Sequence, residues 1–182
     1  MKYFLLGLIF LFSCGEGVDN LPPSTGVNSE IIFVVDDSLW ELEIKSLVRN
    51  IFCPPIQGLN QNESLFRIAQ INYAELKSTL KTHKNIVIIN EETKTYSYKN
   101  KWAKEQVVIH VSSSQKKVDI EKKLNKIRDI FILKEVKSIR EKVTKTSQKE
   151  IEKKHKFNFK TNCIIPKEYE IIKNNESFFW AN

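Results

Sequence analysis

The chain has 182 residues, 41% hydrophobic and 28% charged, which excludes wholesale disorder and leaves room for one domain with a real core. Its 29 Lys and Arg against 22 Asp and Glu give a formal charge of +7, but only Arg49, Arg67, Arg128 and Arg140 offer the bidentate fork that phosphate and base recognition favour. The excess therefore reads as a solvated lysine surface, and no nucleic-acid partner is expected.

Met1-Lys2 is a minimal basic start, Tyr3 to Phe12 is apolar apart from Gly7, and Leu11-Phe12-Ser13-Cys14 has the small residue before a cysteine that a lipobox requires. A run of about 10 apolar residues is half the ~20 needed to span a bilayer as a helix, so residues 1–13 read as a lipoprotein signal peptide rather than a retained span. The expectation is export and a lipidated Cys14 holding the protein to the cell membrane or outer membrane, facing periplasm or surface. Residues 14–28, rich in Gly, Pro and Ser, read as a flexible tether, and 29–182 as a single domain.

Glu30 to Val35 is a β-branched run suited to a buried central strand. Asp36-Asp37-Ser38 follows, and Ser38-Leu39-Trp40-Glu41 matches a capping box opening a helix with Leu39, Leu42, Leu47, Val48 and Ile51 on its apolar face. That helix stops before Pro54-Pro55. Leu65 to Ile71 predicts a second strand, Tyr73 to Leu80 a short helix, Asn85 to Asn90 a third strand and Gln106 to Val111 a fourth, with 91–101 a polar connection. From Val118 the apolar residues recur at helical spacing, with a break expected near Phe131 to Lys134 where the stripe shifts. Phe157, Phe159 and Tyr169 to Ile172 suggest further strands. This order points to an α/β or α+β class, a mixed β-sheet with helices mainly on one face, ferredoxin-like with additions.

Candidates for chemistry are few. Asp36 and Asp37 close a buried strand, where carboxylates can bind a metal or act as acid and base, although capping explains them more simply. His83 lies between a helix and a strand, with no serine or cysteine nucleophile motif beside it. Tyr96, Tyr98 and Trp102 alternate with lysines, a pattern that serves stacking on a glycan or peptide, or edge packing. Cys53 and Cys163 share an oxidising compartment and have two outcomes, free thiols or a bridge contributing roughly 3–5 kcal/mol. No metal-ligand spacing is present and no cofactor is implied.

Several segments, taken in order, resemble a family of bacterial lipoproteins known as domain of unknown function 4837, found mainly in Bacteroidota. They are Leu21 to Gly26, Glu30 to Asp37 with Trp40, Ile56 to Leu59, Leu65-Phe66, His83 to Ile86, Trp102 to Gln106, Ile165 to Lys167 and Phe179-Trp180. The resemblance implies that this chain corresponds to the amino-terminal half of a longer fold. On that view Phe178, Phe179 and Trp180 either pair within the chain or seek a second molecule, and self-association is expected. The family implies no activity. The combined expectation is a membrane-anchored envelope lipoprotein, a non-enzymatic binding or structural module with an envelope protein partner. The alternatives are an envelope hydrolase using Asp36 and Asp37 and a glycan- or peptide-binding module using Tyr96, Tyr98 and Trp102.

Overall fold

The β-branched run after Ser29 forms β1 (Glu30–Val34), which sits inside a five-stranded sheet rather than at its edge. A computed structural model describes residues 20–92 and 94–182 of the protein. β2 (Arg67–Ile71) and β3 (Asn85–Asn90) flank β1 in parallel, β5 (Val107–Ser112) continues parallel beside β3, and β4 (Tyr96–Lys99) closes the sheet antiparallel to β5. The order is β2-β1-β3-β5-β4. The class is therefore α+β with a mixed sheet, but not ferredoxin-like in detail, because three of its four strand pairings are parallel.

Alternation along the central strands splits the core into two layers. Ile31, Phe33 and Val35 of the β1 segment, Val87 and Ile89 of β3, and Ile109 and Val111 of β5 face the long helices. Ile32, Val34, Ile86, Ile88 and Val108 face the other way, under Leu76, Ile71 and Trp102. Helices thus cover mainly one face.

The first helical segment runs as α1 (Asp37–Leu39), a π-helical turn over Trp40–Ile44, and α2 (Lys45–Phe52). The wider turn rephases the apolar face, so Trp40 and Ile44 are buried while Leu42, expected to be buried, is 83% exposed. Phe33, Phe52 and Phe66 meet edge to face, with centroids 5.1 and 6.1 Å apart. The helix expected over 73–80 divides into a 3₁₀ turn, Tyr73–Glu75, and α3 (Ser78–Lys81).

α4 (Lys117–Lys145) runs unbroken through the expected break near Phe131. Its Ile120, Leu124, Ile127 and Phe131 lie in the core, and the same face then turns polar at Lys134, Glu135 and Ser138. The apparent shift of stripe is a change in what that face meets. Phe157 and Phe159 lie in α5 (Lys149–Phe159), not in a strand. β6 (Ile171–Asn174) pairs antiparallel with β7 (Phe179–Ala181), so the carboxyl-terminal aromatic segment is paired within its own chain, with Phe178 and Trp180 half exposed.

Residues 20–28 depart from the expected tether. The Lys104 amide donates to Pro22, the Thr25 amide to Thr82 and the Lys84 amide to Thr25, so the segment is laid along the domain. Gly26 has φ +87° and lies so close to the His83 ring that a Cβ would come within 2.3 Å of Nε2. Gly26→Ala is expected to cost about 2–4 kcal/mol from left-handed strain plus overpacking. Gly58→Ala, at a similar φ but facing open space, should cost only the strain, about 1–2 kcal/mol. Equal losses in denaturant unfolding would contradict the ring contact.

Candidate functional site

At the carboxyl ends of β1 and β3, where parallel sheets usually hold ligands, the polar groups already answer one another. Asp36, not Ser38, is the N-cap: its Oδ1 accepts from the Ser38 amide at 3.0 Å and from the Ser38 hydroxyl. The Ser38 hydroxyl and amide hold the Asp36 carboxyl below its usual range. Asp37 accepts from Asn72 Nδ2 at 2.8 Å and Gln70 Nε2 at 2.9 Å, which lower its pKa in that order and tie the helix start to β2. Among the described residues no group of three or more His, Cys, Asp or Glu is placed to hold a metal. The pair caps and ties.

His83 is buried, with Nδ1 3.1 Å from the Asn85 carbonyl oxygen and Nε2 3.7 Å from Glu30. Burial holds its pKa below the usual imidazole range, and no nucleophile contacts it among the interactions described, so its position is that of a spacer beneath Gly26. Tyr96 stacks on His110 at 4.4 Å and donates its hydroxyl to Glu92, while Lys101 lies 4.3 Å from the Tyr98 ring centroid and 4.5 Å from that of Trp102. Tyr96, Tyr98 and Trp102, for which the sequence left ligand stacking and edge packing open, engage the chain's own His110 and Lys101. Cys53 and Cys163 are free thiols, the first at the end of α2 and the second between α5 and β6, so the alternative of a bridge is not formed. Cys14 lies outside the described residues.

A cleft of about 860 Å³ lies at this carboxyl end, lined by Asp36, Ser38, Leu42, Asn72 and Glu92, and the opposite end of the sheet holds a second one. A cavity of about 420 Å³ opens between residues 24–28, the starts of β3 and β5, and the middle of α4. Five lysines line it, Lys84, Lys99, Lys134, Lys137 and Lys142, against Glu105, Glu135 and Glu141. Its inner wall sets half-buried Lys84 and Lys134 around buried Asn85 and Glu135. Lys134 Nζ donates to the Lys84 carbonyl at 3.0 Å and to Asn85 Oδ1 at 2.8 Å. Lys84 Nζ donates to Asn28 at 2.8 Å and pairs with Glu135 Oε1 at 3.3 Å. Asn85 is fully buried and also donates to the Glu30 carbonyl and to Glu135 Oε1. The Glu135 side chain is only 7% exposed, and its Oε2 has no hydrogen-bond partner.

Two ammonium groups thus face one carboxylate in a desolvated wall. Burial, and then the neighbouring Lys84 charge, push the Lys134 pKa down to about 8, against the opposing pull of Glu135 and Glu105. Buried Gln106 stabilises the frame, donating to the Lys81 and His83 carbonyls at 2.6 and 2.8 Å and accepting from the Trp102 amide. Lys134, Glu135 and Gln106 carry no motif in the sequence. The one signal for the first two is the point where the α4 core stripe becomes polar.

The fold and cavity define an α+β sheet domain with a lysine-lined cavity at the amino ends of β3 and β5. Residues 24–144 match the family described as domain of unknown function DUF8532, and the chain belongs to it. That span contains the sheet and all the cavity-lining residues named above. No curated protein and no solved structure matches the chain.

Two measurements test this account. Asp36→Ala should cost about 0.5–2 kcal/mol as a lost N-cap, with Ser38→Ala costing less because the Ser38 amide donor survives; the reverse ranking in denaturant unfolding would contradict it. For Lys134, folded and unfolded forms both bind the proton below about pH 8, so the cost of the buried charge is fully present there. Between about 8 and the ordinary 10.5 the folded form loses its proton first, and the cost is relieved. Stability relative to Lys134→Met should therefore rise from pH 7.5 to 10. A constant difference would show that Lys134 is not perturbed.

Proposed function

We propose that this protein is a lipid-anchored, non-enzymatic binding module of the cell envelope, and that its ligand occupies the lysine-lined cavity at the amino ends of β3 and β5. The observation that carries the binding reading is the wall of half-buried Lys84 and Lys134 around buried Glu135, with its surplus positive charge and a carboxylate oxygen lacking a donor. Burying such groups without compensation costs stability, and a ligand that completes them offsets that cost. The lipobox ending at Cys14 and the resemblance to the lipoprotein family known as domain of unknown function 4837 support the anchor. Among the described residues no helix is long and apolar enough to cross a membrane.

The hydrolase reading has less support, since Asp36 and Asp37 are each engaged in capping or in tying the helix to β2. The aromatic-platform reading is weakened by Lys101 lying against both Tyr98 and Trp102.

The test has two arms. Cells expressing the full chain and fed a palmitate analogue should label the wild type and not Cys14→Ser. The full chain in detergent should gain thermal stability on titration with inorganic phosphate, and Lys134→Met should lose that gain. Full labelling of Cys14→Ser would refute the anchor, and an equal gain in Lys134→Met would refute the cavity.

A further inference from the structure

Building on the cavity reading, we propose that the ligand is a small hydroxylated anion, a sugar acid or sugar phosphate. Its acidic group would lie against Lys134 and the rim lysines Lys137 and Lys142, with one hydroxyl donating to Glu135.

Three observations narrow the chemistry. Lysines outnumber glutamates five to three in the lining, and the inner wall sets two half-buried ammonium groups against one buried carboxylate, so the charge that relieves the site is negative. A bare anion would relieve the lysines but leave Glu135 Oε2 without a donor and add a second negative group beside it. The ligand must therefore bring its own donor. An ammonium donor would restore the surplus positive charge, whereas a hydroxyl is neutral and fits both demands.

The rest of the lining agrees. Ser24, Asn28, Asn100 and Ser138 present hydroxyl and carboxamide groups of the kind that take further hydroxyls, and Val107 is the one large apolar residue in the wall. A volume of about 420 Å³ lies within the range of small-molecule sites.

Calorimetric titration of the full chain in detergent with glucuronate, glucose 6-phosphate, glucose, propionate and sulfate, which carries no donor, tests this. Glucuronate and glucose 6-phosphate should each bind at least about tenfold more tightly than the other three, a difference of about 1.4 kcal/mol. Preference for one over the other tells carboxylate from phosphate. Glu135→Gln should weaken both hydroxylated anions while leaving sulfate binding equal or tighter, since a repelling charge is removed. Lys142→Met, at the rim and outside the core, should weaken every anion severalfold in a folded protein, whether or not Lys134→Met folds.

If sulfate and propionate bind as tightly as the hydroxylated anions, the ligand class is wrong and the cavity stands. If the hydroxylated anions bind unchanged to Lys142→Met and Lys134→Met, they bind elsewhere and the cavity reading falls too. Absence of binding by all five overturns both.

Discussion

The seating of α4 on the sheet is the interaction on which the rest of the molecule depends. Ile120, Leu124, Ile127 and Phe131 enter the same core layer as Phe33, Val87 and Val111 and thereby set the height and rotation of the helix against the strand ends. Two large side chains among them, Leu124 and Phe131, are fully buried, and truncating a residue of that kind typically costs 2–5 kcal/mol. That seating brings Lys134 and Glu135 to the first residues of β3, within hydrogen-bonding distance of Lys84 and Asn85. Core packing and cavity chemistry are thus successive turns of one helical face.

The polar groups at the two ends of β1 and β3 differ in what they engage. At the carboxyl end Asp36, Asp37, Asn72 and Glu75 are engaged in caps or in ties to neighbouring segments. At the amino end the carboxamides of Asn85 and Gln106 are fully used, yet Glu135 Oε2 is not, and the lysine beside it holds its proton weakly.

Much of the sheet is legible in the sequence, for a simple reason. β1, β3 and β5 are buried on both faces, so they read as unbroken β-branched runs that no amphipathic element mimics. β4 is different: as an edge strand with Tyr98, Ser97 and Lys99 exposed it has the composition of a loop. Leu42 is misread because the period of 3.6 fails across a π-turn that has no sequence signature. Pro22 to Gly26 has linker composition, but its carbonyls and amides pair with distant backbone, and Gly26 is there to clear an imidazole ring. Lys134-Glu135 looks like any other surface pair in a charged helix. Its burial becomes apparent only once the face of α4 is followed past Phe131.

The length of α4 has a mechanical meaning. Ten residues lie beyond Glu135, a rod of about 15 Å that carries Lys137 and Lys142 over the cavity. The same rod leads into the segment where Ser147 bridges to Pro166 and Gln148 donates to the Pro166 and Tyr169 carbonyls. One unbroken helix thus joins the core at Phe131, the wall of the cavity and the segment that supports α5 and the terminal hairpin.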